Sequence, residues 1–303
     1  MMGRVAELHY HHGMTHQAIA DLVGLSRVQV TRLLAKARSE GIVEIRVHSD
    51  DPIFPELQNA VAKHFGLQQV YISPTFESDS RNLESLGTVA AQFLISILKP
   101  SDVVAVGLSK TLEYMIPHLP KRDIGATFVP ALGSRPGGAV VVNPHEIAND
   151  LADVLGGTAH HLPAPFLMAS ENSATMMREE PDVASTLQLA RKATLGLYGL
   201  GGVSPGTGPL IKAIGPSGEL EKLTAKGAVG DISGIYFDHN GRYVQSSVEK
   251  RIIGLSLDEI MQIPKRAIVA RGDGKVDAIA AAARSGIATH LVTDQRTAMR
   301  ILN

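Results

Sequence analysis

The chain has 303 residues, with 29 Lys and Arg against 30 Asp and Glu, no cysteine and a formal net charge of −1. The near-neutral balance leaves the partners open, whereas the lack of cysteine excludes disulfides and thiolate zinc sites. A chain this long buries a large core and reads as two domains; no apolar run reaches the length of a membrane span and no signal-peptide pattern opens the sequence, so a cytoplasmic protein is expected.

Val5, Ala6, Leu8 and Tyr10 outline a first short helix. Residues 15–40 then follow the pattern of a helix-turn-helix. Ala18, Ile19, Leu22 and Val23 repeat at helical spacing. Gly24 breaks the helix where a tight turn tolerates positive φ, and Ser26 is placed to cap the next one. Val28, Val30, Leu33, Leu34 and Ala37 supply an apolar face, which leaves Arg27, Gln29, Thr31, Arg32 and Lys36 pointing outward. Such a helix fits a DNA major groove, with Arg and Gln at base edges and Lys or Thr at phosphates; the plainer reading is a helical hairpin with a solvated charged face. Thr15 and Ser26, at the two helix starts, complete the candidate DNA contacts. Gly41 stops the helix, and residues 42–47 read as the strand of a wing. Residues 1–48 hold six Lys/Arg against four Asp/Glu, so attraction to phosphate depends on placement rather than bulk charge. Asp50-Asp51-Pro52 reads as a linker between a DNA-binding domain at 1–51 and a second domain at 52–303.

Beyond the linker, strand and helix patterns alternate. Strands are predicted over 69–73, 102–107, 126–132, 193–200, 232–237, 266–270 and 289–293. Helices are predicted over 83–98, 111–118, 146–155, 219–225, 276–284 and 295–302, with a turn at Asp238-His239-Asn240-Gly241. The alternation predicts an α/β domain with a mostly parallel sheet covered on both faces, and ligands bind such sheets at the carboxyl ends of the strands. Four loops belong there. Val106-Gly107-Leu108-Ser109-Lys110-Thr111 offers hydroxyls, a lysine and a helix start that suit an anion, and reads equally as an ordinary connection. The loop 133–138, with Asn143 and His145 just beyond, is either a set of polar contacts or a plain link. Gly227-Ala-Val-Gly-Asp231 presents one carboxylate. Arg271-Gly-Asp-Gly-Lys275 puts Lys275 where a helix begins.

The N-terminal module, Lys226-Gly-Ala-Val-Gly-Asp231, Tyr236-Phe-Asp238-His-Asn-Gly241, Arg251-Ile-Ile-Gly254, Gly272-Asp-Gly-Lys275-Val-Asp-Ala-Ile-Ala and Leu291-Val-Thr-Asp294-Gln-Arg-Thr-Ala298 together resemble the SorC/DeoR-type sugar-binding transcriptional regulators. The resemblance runs over essentially the whole chain and is specific in motif order and spacing. It implies a winged helix-turn-helix joined to an effector domain similar to sugar-phosphate isomerases. It also implies a small phosphorylated sugar or polyol as effector, and usually a tetramer; the expectation taken here is a small sugar, polyol or sugar phosphate and a dimer or tetramer. By the same resemblance, effector contacts fall on Ser109, Lys110, Thr111, Gly133, Ser134, Asn143, Asp231 and Lys275. Three departures bear on which effector is bound. Leu108 and Ser109 stand where the family tends to have an aromatic residue and a glycine. Arg271-Gly272 replaces a Gly-Gly pair. Leu132 stands where some members carry a lysine able to form a Schiff base.

No catalytic residue, cofactor or metal is expected. His9, His11, His12 and His16, and the pair His160-His161, lack the acidic or cysteine partners of a metal site and read as surface or phosphate-side groups. Asp231 reads as an acceptor for sugar hydroxyls rather than as a general base. Met176-Met177 reads as core or interface. The function that follows is a transcriptional regulator that binds double-stranded operator DNA and is switched by a small effector. One alternative is a sugar-phosphate isomerase carrying a DNA-binding arm, which needs a second acid or base beside Asp231. Another is a metabolite-insensitive architectural DNA binder, which leaves the strand-end loops without a role.

Overall fold

In the computed structural model three helices form the N-terminal unit: α1 (Met2–Tyr10), α2 (His16–Val23) and α3 (Arg27–Ser39). The structure describes residues 1–43, 53–134, 142–204 and 218–303, and the chain divides into two units, Met1–Asp51 and Pro52–Asn303. The expected wing beyond Val43, the linker 50–52 and the loop 135–138 lie outside the described residues. Val5, Ala6, Ile19, Ala20, Val30, Leu34 and Ala37 make one small core. Val28 and Leu22, read as parts of the apolar face, are instead 60% and 55% exposed. Val28 falls on the same side of α3 as Arg32, four residues on, and not on the side of Val30 and Leu34.

The larger unit is built on seven parallel strands: β1 (Gln69–Ser73), β2 (Val103–Val106), β3 (Thr127–Pro130), β4 (Thr158–Ala159), β5 (Leu195–Tyr198), β10 (Lys265–Val269) and β11 (His290–Asp294). Their order is β1-β11-β10-β5-β2-β3-β4. Both faces are covered, so β5 and β11 are buried from end to end and β2 and β10 over all but their first residues. Val104 and Val106 enter the core on one face and Ala105 that on the other; Ala267 and Val269 divide from Ile268 in the same way. The first face packs on α5 (Asp79–Ile97) and α7 (Pro144–Leu155). The second packs on α4 (Pro55–Phe65), α12 (Val276–Arg284) and α13 (Gln295–Leu302).

Three sequence expectations change. The helix predicted over 111–118 is a short α6 (Lys110–Glu113) and a 3-10 turn at Ile116–His118, because Pro117 cannot supply the N–H that a continuous helix needs. The strand predicted over 232–237 is the second half of a hairpin. The stretch ending in Asp231, read as a loop, is strand β7 (Ala228–Ile232), joined through Ser233 and Gly234 to β8 (Ile235–Asp238). These two strands, with β6 (Gly201–Gly202) and β9 (Tyr243–Val244), form a second, antiparallel sheet in the order β6-β7-β8-β9. The helices α4, α8 (Glu171–Glu179), α9 (Pro181–Arg191) and α11 (Leu257–Gln262) were not foreseen, whereas α10 (Glu219–Ala225) spans the predicted 219–225.

The winding of the parallel sheet positions the site. From β2 the chain steps outward to β3 and β4. It then returns to β5 on the other side of β2 and steps away through β10 to β11. The direction reverses between β2 and β5, and a crevice opens at the carboxyl ends of strands at such a reversal.

Candidate functional sites

The helix-turn-helix is held by local signals. Thr15 caps α2 by accepting the Ala18 N–H at 3.2 Å, and Gly24 closes that helix with φ 71°. Ser26 caps α3 through a reciprocal box: its hydroxyl accepts the Gln29 N–H at 3.2 Å, and Gln29 Oε1 accepts the Ser26 N–H at 2.8 Å. Thr31 Oγ1 donates to the Arg27 carbonyl and lies 3.0 Å from His16 Nδ1. Of the seven candidate DNA contacts, Thr15, Ser26, Gln29 and Thr31 therefore have intramolecular work. Arg27, Arg32 and Lys36 project from the exposed face of α3, where Lys36 makes a solvent-exposed pair with Glu40 at 3.4 Å. Val28, missed as a surface residue, sits among them and presents an apolar contact suited to a thymine methyl.

Three of the predicted effector residues, Ser109, Asp231 and Lys275, lie near the carboxyl ends of β2, β5 and β10. Ser109 follows β2 and its side chain lies over Gly199, which follows β5; a Cβ on Gly199 would occupy the space of the Ser109 hydroxyl. Asp231 pairs in register with Gly201 across β6 and β7, and its Oδ1 lies where a Cβ on Gly201 would be. Glycine at both positions is what lets the two polar side chains approach the strand ends. Asp231 Oδ2 accepts the Gly234 N–H at 2.9 Å. Asp231 Oδ1 is buried with no hydrogen-bond partner among the described residues, and the same holds for Ser233 Oγ. Burial pushes the Asp231 carboxyl above its ordinary range, opposed by the Gly234 N–H and then by the Lys275 ammonium. Burial pushes Lys275 below its ordinary range, opposed by Asp231. Asp231 and Lys275 thus each feel the charge of the other near the strand ends.

Lys275 is held by the loop that follows β10. Its N–H donates to the Gly272 carbonyl at 2.9 Å, and the Gly272 N–H donates to Thr297 Oγ1 at 2.9 Å. Arg271 bridges buried Asp294 (2.9 Å) and Asp79 (2.8 Å). Asp273 pairs with Arg296 and Arg300 at 2.5 and 2.7 Å. Arg271 therefore ties the end of β11 to the start of α5 and is paired with two carboxylates, and Lys275 is the other cation of this loop, within electrostatic reach of Asp231.

The remaining predicted residues are placed differently. Lys110 and Thr111 form the first turn of α6, the former exposed and the latter buried. Gly133 and Ser134 follow β3, but their N–H groups already donate to the Ile253 and Ala164 carbonyls at 2.8 and 2.9 Å. Asn143 caps α7, its Oδ1 accepting the His145 N–H at 3.1 Å. His145 meets His161 with 2.6 Å between the Nδ1 atoms. Burial first, and then His161, hold the His145 imidazole down to about 4. Met177 packs beside Ala174 and Leu187, while Met176 is exposed. Ser233 is the site residue that sequence reasoning missed.

A helix-turn-helix joined to a parallel α/β unit, with buried polar groups at its winding reversal, defines a regulator that couples DNA reading to a small-molecule domain. The family model described as "Putative sugar-binding domain" matches residues 54–303, and that of "Bacterial regulatory proteins, crp family" matches residues 13–43. The chain is 32% identical to transcriptional regulator LsrR of Enterobacter sp. (strain 638), covering 100% of this chain and 92% of that protein. It is 28% identical to the erythritol catabolism regulatory protein EryD of Brucella abortus (strain 2308), covering 99% and 95%. The full-length sorbitol operon regulator SorC of Klebsiella pneumoniae shares the fold, with a TM-score of 0.81 at 22% identity over 100% of this chain and 98% of that one. The chain belongs to the SorC-type sugar-binding transcriptional regulators.

Proposed function

We propose that this regulator binds a small polyhydroxylated effector, a sugar, a polyol or a monophosphate of either, in the crevice between Ser109, Asp231 and Lys275, and that occupancy changes its affinity for operator DNA. The carrying observation is Asp231 Oδ1: a buried carboxylate oxygen with no partner among the described residues, beside a desolvated ammonium. A buried polar atom of this kind is satisfied by something, and an ionised carboxylate accepts hydroxyls while repelling phosphate. Lys275 supplies the charge for an anionic group if the effector carries one. Two relatives are named for erythritol and sorbitol, which supports the polyol class. The α3 face of Arg27, Val28, Arg32 and Lys36 reads the operator, the site of action is the cytoplasm, and the working form is a dimer or tetramer. The other residues to which the family resemblance points, Lys110, Thr111, Gly133, Ser134 and Asn143, are assigned to the rim of the crevice.

The test pairs two variants with two readouts. Asp231→Ala and Lys275→Ala keep wild-type affinity for an operator selected from a random duplex library. Both lose the effector-induced change in that affinity, by roughly 10- to 150-fold in effector concentration, as expected when a charge-assisted hydrogen bond worth about 1.5–3 kcal/mol is removed. Variants that respond at wild-type effector concentration place the site elsewhere.

A further inference from the structure

Ser233 combines two costs in one residue. It is the one non-glycine residue with positive φ among those described, at 54°, and it opens a two-residue turn in which Gly234 follows at 85°. Two successive positive φ values are the signature of a tight hairpin turn that favours Asn, Asp or Gly, since a Cβ there crowds the following carbonyl. Serine is therefore a costly occupant. Its hydroxyl is also buried, 8% exposed as a residue, and Oγ has no partner among the described residues. A serine that only closed the turn would have no reason to carry an unsatisfied hydroxyl inward.

The position of that hydroxyl shows what it faces. Ser233 Oγ lies 3.1 Å from where a Cβ on Gly107 would sit, at the end of β2 just ahead of Ser109. Two residues before it, Asp231 Oδ1 reaches Gly201, beyond the end of β5. The hairpin thus sends two unpartnered oxygens to the tips of two neighbouring strands, on either side of the winding reversal. Asp231 Oδ2 is held by the Gly234 N–H of the same turn, which fixes the two residues relative to each other. One oxygen only accepts when ionised; the other donates and accepts.

We propose that Ser233 is a specificity-determining effector contact, and that Asp231 Oδ1 and Ser233 Oγ together read two adjacent hydroxyls of the effector. One effector hydroxyl donates to Asp231 Oδ1 and its neighbour accepts from Ser233 Oγ. The recognised unit is a vicinal diol, so a deoxy compound at either carbon is discriminated against. This rests on the strand-end effector site proposed above.

Two substitutions separate the hydroxyl from the turn. Ser233→Gly removes the hydroxyl and relieves the backbone; Ser233→Ala removes the hydroxyl and keeps the Cβ. The full-length variants are titrated with C4–C6 polyols and aldoses, each free and as the terminal monophosphate, by calorimetry and thermal shift. Ser233→Gly melts higher than wild type and Ser233→Ala does not, yet both bind the best probe more weakly by a similar factor, roughly 2- to 12-fold for one neutral hydrogen bond. The monodeoxy analogue that costs wild type this factor costs Ser233→Ala nothing further. Wild-type affinity in both variants, or a loss confined to Ser233→Gly, overturns the assignment of the hydroxyl. A wild-type chain that none of these probes binds overturns the effector site itself, and the Ser233 contact with it.

Discussion

Two imidazoles in the larger unit, His145 and His290, are buried as neutral groups, each held down to about 4 from an ordinary 6.5. For His290 burial is the larger cause, followed by the positive charges of Lys265 and Arg266; its Nδ1 lies 2.8 Å from Thr289 Oγ1. The sign follows from linkage. The folded value is depressed, so the unfolded chain takes up the proton first as pH falls. The stabilisation is complete above 6.5, drains away between 6.5 and about 4, and is gone below. The gap between those values corresponds to about 3 kcal/mol for His290. Urea unfolding of the full chain at pH 7 and pH 4 measures it: His290→Gln, which keeps a polar side chain and cannot be protonated, flattens the decline by up to that amount. A wild-type chain equally stable at both pH values contradicts this account of the buried histidines. Asp231 has the opposite sign, since its folded value is raised. Its ionisation weakens the unliganded protein as pH rises, and an effector hydroxyl donated to Oδ1 offsets that cost.

Capping separates the residues that build α3 from those proposed to read DNA. Ser26 and Gln29 close a reciprocal box at the start of α3, whereas the Arg27 and Arg32 side chains project from it with no hydrogen bond or ion pair among the described residues. Ser26→Ala is expected to cost about 1 kcal/mol, visible as faster hydrogen exchange along α3. Arg27→Ala leaves exchange unchanged and weakens operator binding at fixed salt by about 1–3 kcal/mol, with relaxed choice at one base pair. Equal effects of both on exchange would mean that Arg27 is a structural residue. These helices were legible because Thr15, Gly24 and the Ser26–Gln29 box are signals carried within a few residues. The buried parallel strands were legible as short apolar runs. The hairpin was not: β7 reads Ala-Val-Gly-Asp-Ile, and glycine and aspartate belong to loops by propensity. They form a strand because Gly230 packs against Ala278 and the Gly201 carbonyl, where a side chain has no room. The polar helix α8 has one buried residue, Ala174, and offers no apolar stripe to find. Asp231 and Lys275 could be singled out as candidates from their loops and from the resemblance. Ser233 could not, because an unpartnered hydroxyl is a property of three-dimensional surroundings.

One copy of α3 offers a single short face of Arg27, Val28, Arg32 and Lys36 to DNA. A single recognition helix reads one half-site, and one such module buries on the order of 600–1,000 Å². The N-terminal unit also carries little excess positive charge, six Lys/Arg against four Asp/Glu over residues 1–48, so non-specific attraction to phosphate cannot make up the difference. Tight and specific binding therefore requires doubled half-sites, which a closed symmetric oligomer supplies without further sequence. The larger unit, some 250 residues at 52–303, has ample surface for the contact between copies. The chain is accordingly expected to be a dimer or tetramer at micromolar concentration, and its operator to carry two related half-sites one helical turn, about 10 base pairs, or a multiple of it apart. Sedimentation velocity with and without a selected operator checks both parts. A dimer or tetramer that loses affinity when 5 base pairs are inserted between the half-sites fits the symmetry argument. A 32.2 kDa species in free solution that also binds one half-site as tightly as two overturns it.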